Sequence, residues 1–436
     1  MNFDESLSYL YGLGNEVLAM KLGLENIRTL IAALGNPEQN YLKVQIAGTN
    51  GKGSTAAFLE AICVSAGIKT GSMTSPHLVS ITERIKINGR EISEKDFARH
   101  ATIVKETAEN LVAKGELETV PTFFEQITAT ALLAFSEEKC ELVILETGLG
   151  GRFDATTAAN AEIVAITTID YDHQQILGNT LEEIASEKAA IIRQETKVII
   201  APQKREAERI IIGKCLEKEV DPIWAATNYK IKKGSADFEY ELHGTIKTKN
   251  DNYPNVSLGL LGRHQFENAS VAVSIAETLR EFNFDISQNS IIHGLETARH
   301  GGRLEFYKGI LFDGAHNAAG AKALRQYLDE FIHQPITMVF GAMNDKDLSE
   351  IGEILFPKAE KLIFTKPDNP RSMEIAELLK FVPMDFNKEN LILTETVEQA
   401  IEKANENSEK NGLILVTGSL YLIGEAQKLL KSNFEI

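Results

Sequence analysis

The chain has 436 residues, too many for one ordinary domain, so two or three domains are expected. Hydrophobic residues make up 43% of it, which supplies real cores and sets disorder aside. Lys and Arg total 45 against 62 Asp and Glu, and a formal net charge of -17 argues against wholesale binding to nucleic acid or an anionic membrane.

At the N-terminus, MNFDESLSYL is acidic and lacks the apolar centre of a signal peptide. No uncharged apolar run approaches the ~20 residues needed to span a bilayer. Cys63, Cys140 and Cys215 are scattered, without metal spacing, and read as core residues of a reducing compartment. A cytoplasmic protein is expected.

Apolar β-rich runs then alternate with helical patterns, which predicts α/β architecture with mostly parallel sheets. The clearest early strands are 42–47, 142–145, 163–169 and 197–201. From 228 to 260 short alternating runs broken by turn residues predict a small antiparallel patch, followed by a helix over roughly 266–282. ETARHGGRLEFYKG supplies the linker, and a second strand-loop-helix series begins, with strands at 309–313, 336–340, 361–365 and 413–417. The division expected is 1–298, a linker at 299–303, and a smaller Rossmann-like domain over 304–436.

In open parallel sheets, ligands bind beyond the carboxyl ends of the strands. The first strand delivers GTNGKGS, Gly48 to Ser54, and then a helix beginning near Ser54. The usual phosphate loop reads G-x-x-x-x-G-K-[ST]. Here Ile46 stands where the first glycine belongs, and Gly53 intrudes between Lys52 and Ser54. Glycines that let backbone N–H groups converge, a helix N-terminus and the charge of Lys52 still favour phosphate. Lys52 is expected to top a solvent-facing loop.

The strand at 142–145 ends in Glu146, placed like a Mg²⁺ ligand or a general base, or else a solvated strand end. The strand at 163–169 leads to Asp170, Asp172 and His173, and a single histidine in such a place is more often structural. Thr180 and Glu183 form a capping box. Counting on, Leu181, Ile184, Ala185, Lys188, Ala189 and Ile192 make an apolar stripe in which Lys188 is out of place. It either snorkels or is a buried amine with a lowered pKa. In the second series, strand ends deliver Asp313 and His316, Asn344-Asp345-Lys346-Asp347, Lys366, and Ser419. Charges gathered on one edge of each sheet suggest two domains facing a cleft, although a solvated rim would look similar.

Taken together these segments resemble the folylpolyglutamate synthase/dihydrofolate synthase family of the Mur ligase superfamily. The resemblance runs nearly end to end, through GTNGKGS, TSPHL (74–78) with ERI (83–85), TFFE (122–125), ETGLGGRFDAT (146–156), DHQQILG (172–178) and SEKAAI (186–191). It continues through GRHQFENA (262–269), GRLE (302–305), FDGAHN (312–317) and GSLYLIGE (418–425). The extra glycine of the loop, Gly53, belongs to the folate branch, whereas Gly-Lys-Thr is typical of the cell-wall ligases.

The resemblance implies a Mur-ligase-like P-loop ATPase domain beside the Rossmann-like one, using ATP and Mg²⁺. It places Asn50, Gly51, Lys52, Gly53, Ser54, Asn268, Arg303 and Asp313 at ATP, and Ser75, Glu146 and His173 at Mg²⁺. It implies a carbamylated Lys188, His316 beside the incoming glutamate, and Lys52 as a catalytic charge. Thr122, Phe123, Phe124 and Glu125, with Phe153, Asp154 and Ala155, would meet the pterin end of a folate, and Arg84 and Ser419 complete the substrate residues. Two departures stand out. Thr157 follows DAT where the family often has Asn, so a hydrogen bond near the folate could differ. His300-Gly301 replaces a common Pro before Gly302-Arg303, so a looser hinge is expected.

The expected activity is ATP-dependent addition of L-glutamate to folates, and also to dihydropteroate, through an acyl phosphate. A synthase restricted to pre-formed folates is the alternative. A cell-wall ligase and a P-loop ATPase switch are the remaining rivals. The expected partners are these small molecules, with no nucleic acid or membrane, and a monomer is expected.

Overall fold

The structure, a computed structural model, describes residues 1–14, 23–226, 228–233 and 242–432. An eight-stranded sheet is built from β1 (Leu42–Ala47), β2 (Thr70–Met73), β3 (Ile85–Ile87), β4 (Arg90–Glu91), β5 (Leu142–Glu146), β6 (Ile163–Ile166), β7 (Lys197–Ile200) and β8 (Pro222–Trp224). Its spatial order is β4-β3-β2-β5-β1-β6-β7-β8. β2, β5, β1, β6, β7 and β8 pair in parallel, and β3 and β4 add an antiparallel edge.

The apolar runs are continuous rather than alternating because both faces of this sheet are covered. Val44, Ile46, Leu142 and Ile144 enter one core, while Val143 and Leu145 enter another on the opposite face. Val164, Ile166, Val198 and Ile200 enter a third. β1 sits between β5 and β6, so three strand ends open side by side, with Ile46 level with Glu146 and Ala47 level with Ile166.

The small patch is present as β9 (Asn228–Lys233), β10 (Leu242–Lys247) and β11 (Asn252–Ser257), antiparallel in the order β11-β10-β9. Residues 234–241 of the predicted patch lie outside the described residues. The second large sheet holds β12 (Glu305–Tyr307), β13 (Ile310–Asp313), β14 (Ile336–Phe340), β15 (Lys361–Phe364), β16 (Leu391–Leu393) and β17 (Leu413–Thr417). Its order is β12-β13-β17-β14-β15-β16, with only β12 antiparallel. Asp313 and Phe340 both pair with Thr417, which brings the loops after β13, β14 and β17 together.

Several boundaries differ from those expected, for physical reasons. The strand expected over 163–169 stops at Ile166, because Thr168 turns its carbonyl to the N–H groups of Thr49 and Asn50. The helix after the phosphate loop starts at Lys52, with Gly51 as its left-handed N-cap at φ 88°. The helix capped by Thr180 ends at Ala189, and Ile192 reaches the core from the turn beyond it. The helix expected to 282 ends at Leu279 and finishes in a tighter turn over Arg280–Phe282.

The helix Gln288–Thr297 crosses the back of the helix Lys52–Ser65 at Gly294. A Cβ built on Gly294 would lie 2.4 Å from the Cα of Ile62 and 2.5 Å from its nitrogen. Helix propensity alone makes Gly→Ala favourable by about 1 kcal/mol. Backbone cannot retreat as a side-chain tip can, so Gly294→Ala should instead destabilise by about 1–3 kcal/mol. Urea unfolding of the variant measures the sign directly.

Candidate active site

The loop after β1 is shaped by what crowds it. A Cβ on Gly48 would lie 1.8 Å from Thr167 Oγ1, and one on Gly51 would lie 2.1 Å from Asn268 Oδ1. The amides of Thr49 and Asn50 both donate to Thr168 O, at 3.0 and 3.2 Å. The following helix has no acidic residue in its first turn, so its N-terminal partial charge stays open to an anion.

Lys52 does not top a solvent-facing loop. Its Nζ folds back to donate to Gly48 O at 3.1 Å and Thr49 O at 3.3 Å, and the side chain is half-buried. Lys188 does not snorkel either. It is 4% exposed and donates to the same Gly48 oxygen at 2.7 Å. Burial, reinforced by the charge of Lys52, pushes the Lys188 amine down to about 7. Burial also lowers Lys52, against the pull of Glu146 and Asp172. The Glu146 carboxyl is raised by burial and drawn back by Lys52. Its Oε2 accepts from Ser75 N at 3.1 Å, the one hydrogen bond found for this carboxylate among the described residues.

Asp172, beyond β6, joins the two large sheets. Lys346 Nζ stands 2.5 Å from its Oδ1, and His316 Nε2 stands 3.6 Å from its Oδ2. Burial opposes the charge on Asp172, but His316 and then Lys346 outweigh it and hold the carboxyl far below its ordinary range. His316 Nδ1 donates to Gly314 O at 2.7 Å, so its Nε2 is the nitrogen that faces the cleft. His173 sits in the left-handed region at φ 49°, and burial lowers it to about 4. Arg371 Nη2 reaches Asp345 Oδ1 at 2.7 Å.

Between the sheets lies a cavity of about 200 Å³. Thr122, Phe124, Glu125, Phe153, Asp154, Ala155, Ser75, His173, His316, Lys346, Arg371 and Ser419 all line it. Phe123 and Arg84 stand behind its wall, 3% and 2% exposed, with the guanidinium 5.4 Å over the phenylalanine ring. Phe123 also stacks on Tyr11. Glu125 closes the capping box with Thr122, accepting from Thr122 N at 2.7 Å. Asp154 accepts from the amides of Gly148, Leu149 and Thr156, and so folds the glycine loop rather than offering a free carboxylate.

Near the linker, Asp313 takes the amides of Leu304 and Ala315, while Arg303 Nη1 reaches Gly314 O at 3.5 Å. Asn268 donates to Gln265 Oε1 at 2.9 Å. Ser54 is buried in the first turn of its helix, and Gly53 leaves the notch that His300 fills, its Nε2 2.6 Å from where a Cβ would be. Among the described residues no group of three or more His, Cys, Asp or Glu side chains gathers as a metal site. No helix among them is long and apolar enough to cross a membrane.

Residues 46–276 match the Mur ligase middle domain, and 302–420 match the Mur ligase glutamate ligase domain. The dihydrofolate synthase/folylpolyglutamate synthase of Bacillus subtilis is 33% identical, the match covering 98% of this chain and 99% of that one. The chain belongs to the folylpolyglutamate synthase/dihydrofolate synthase family of Mur ligases. It is an ATP-dependent glutamate ligase. Among solved structures, Mycobacterium tuberculosis folylpolyglutamate synthase complexed with ADP superposes with a TM-score of 0.89 at 27% identity, over 98% of this chain and 99% of that chain. Escherichia coli FolC in complex with DHPP and ADP gives 0.86 at 27%, over 99% and 98%.

Both departures of this ligase from the family pattern have a physical account. Thr157 donates to Gly151 O and accepts from Gln45, both at 2.7 Å, so it braces the glycine loop and does not line the cavity. The linker is not loosened by its glycines. A Cβ on Gly301 would lie 2.9 Å from Leu78, Gly302 needs φ 69°, and its carbonyl accepts from Gly314 N at 2.8 Å. Arg371 and Met343 were not singled out in the sequence. Both follow carboxyl ends of parallel strands, the signal that would have found them.

His77 supports the wall from behind. Arg84 Nε donates to its Nδ1 at 2.8 Å, which requires a lone pair there, and burial with the Arg84 charge lowers it to about 3. The unfolded chain takes up this proton below its ordinary 6.5, whereas the folded chain does not until about 3. The contribution of His77 to stability is therefore complete above that ordinary value and fades as the pH falls. Taken from about pH 7 to about pH 5, the native chain should lose up to about 2 kcal/mol more unfolding free energy than His77→Gln, which keeps an acceptor for Arg84.

Proposed function

We propose that this ligase adds L-glutamate both to folates and to dihydropteroate, with the pterin seated in the cavity between the sheets. The single observation that carries this reading is that cavity. Phe124 and Phe153 offer it aromatic faces from the first sheet, while His316, Lys346, Arg371 and Ser419 meet them from the second. An aromatic end suits a pterin, and a cationic end suits the carboxylates of glutamate. The domains are taken as 1–298 and 304–436 about a linker at 299–303, in a cytoplasmic monomer.

In this reading ATP lies on Asn50, Gly51, Lys52, Gly53 and Ser54, with Asn268, Arg303 and Asp313 completing its site. An acceptor carboxylate oxygen bonds to the γ-phosphorus while the bridging bond to ADP breaks, leaving an acyl phosphate. The amine of glutamate then bonds to the acyl carbon and phosphate departs. His316 Nε2 faces the cleft beside Asp172, where the amine of glutamate would arrive. Lys52 offsets phosphate charge, and the enclosed cleft keeps water from the acyl phosphate.

Mg²⁺ fits this site. Glu146 is a buried hard-oxygen donor with one oxygen uncommitted, and Ser75 and His173 stand at the same cleft. Such a cation draws most of its ligands from phosphate and water, so a cluster of three protein carboxylates is not required. When bound it would neutralise phosphate charge. Lys188 is buried and its amine is lowered to about 7, so a substantial neutral fraction near pH 7 is suited to add CO₂ and become an anionic carbamate.

Phosphate release that depends on glutamate and on either tetrahydrofolate or dihydropteroate, assayed side by side, tests the acceptor range. Turnover with tetrahydrofolate alone would establish the synthase restricted to pre-formed folates. Glutamate-independent phosphate release would instead favour an ATPase switch. Lys188→Ala should lose at least about a hundredfold in kcat, equivalent to about 2.7 kcal/mol, with partial rescue by small carboxylic acids. A carbamate carbon signal from ¹³CO₂-equilibrated native protein, absent from the variant, checks the modification itself.

A further inference from the structure

Asn317 stands at the start of the helix Ala318–Phe331 in the second sheet's half of the molecule. Its side chain is 7% exposed and is committed at both ends. Oδ1 accepts from Gly320 N at 2.8 Å and caps the helix. Nδ2 crosses the cleft and donates to Oδ1 of Asn50, inside the phosphate loop, at 3.0 Å.

These two bonds fix two amide orientations in series. The cap requires an acceptor, so the oxygen of Asn317 must face Gly320 and its NH₂ must face Asn50. An NH₂ arriving at Asn50 requires an acceptor in turn, so the Asn50 oxygen faces Asn317. The Asn50 NH₂ is thereby turned the other way, where Nδ2 is sealed from solvent and has no hydrogen-bond partner. A buried donor left unmade is costly, and in a loop built for anions an acceptor oxygen would relieve it.

We infer that Asn317 is a positioning residue for the nucleotide: through its bond to Asn50 it holds the Asn50 NH₂ toward a phosphate oxygen of ATP, so that docking of the second sheet sets the donor pattern of the phosphate loop. The inference rests on the reading of Gly48 to Ser54 as the ATP site and names a determinant of affinity that lies outside that loop. The same bond makes the coupling reciprocal, because ATP held on Asn50 Nδ2 favours the docked arrangement of Asn317.

Serine caps a helix as well as asparagine does but is too short to reach across the cleft. Asn317→Ser should therefore keep the thermal unfolding midpoint of the native chain while weakening ATP about tenfold in calorimetric titration of the full-length protein. In an Asn50→Ala background the same change should weaken ATP no further, since the pair acts as one unit. Native ATP affinity in Asn317→Ser, where Lys52→Ala has lost binding, would overturn the inference. So would an equal loss with and without Asn50, the outcome of a purely structural role. Binding that survives Lys52→Ala would remove the phosphate-loop reading, and this proposal with it. If Asn317→Ser fails to fold, Asn317→Asp retains the cap acceptor and offers Asn50 no donor. It should bind ATP more weakly than the native chain by at least about tenfold, and native affinity there counts equally against the proposal.

Discussion

Two ammonium groups converge on one carbonyl oxygen, that of Gly48, and much of the site follows from that crowding. Lys52 and Lys188 both donate to it, one from the first turn of the loop's own helix and the other from a helix of the same large sheet. Neither has a carboxylate within salt-bridge distance among the described residues, although Glu146, Asp154 and Asp172 act on them from farther off. Two amines side by side, one buried and one half-buried, repel each other when both are charged, which favours loss of a proton or arrival of an anion. In the proposed reading, phosphate would meet the demand at Lys52 and a carbamate at Lys188. The chain is acidic overall, and the pair of lysines on the Gly48 carbonyl contrasts with that balance.

A second constraint is the sharing of Asp172. One carboxylate receives Lys346 and faces His316, both from the far sheet, and all three side chains are largely withdrawn from solvent. A buried pair of this kind loses a great deal when one partner is removed, so the register between the two sheets is held near the chemistry rather than at a remote hinge. The linker agrees with this. His300 is lodged against Gly53, Gly301 is packed on Leu78, and the Gly302 carbonyl accepts from Gly314 N.

What could be read in the sequence was whatever depends on spacing along one segment. Strand ends announced Glu146, Asp172, Asp313 and His316, because parallel strands deliver their following residues to one edge. The stripe after Thr180 singled out Lys188 because a helix has a period. Relations that need two distant segments stayed hidden. The resemblance put Arg84 and Phe123 among the substrate residues, but their packing on each other behind the wall depends on Tyr11 and His77 from elsewhere in the chain. Asp154 and Glu125 line the cavity as the resemblance implied, but that backbone amides occupy their carboxylates was not visible in the sequence. The glycines of the linker read as looseness, since a sequence shows that a side chain is missing and not what fills the space.

The helix Gln288–Thr297 touches the backbone of the phosphate-loop helix at Gly294 and then runs, through Ala298 and His300, directly into the strand that opens the second sheet. The chain segment that enters the second sheet is thus seated first against the back of the helix that carries Lys52, so the two halves share one packing contact behind the phosphate loop as well as the contacts in front of it.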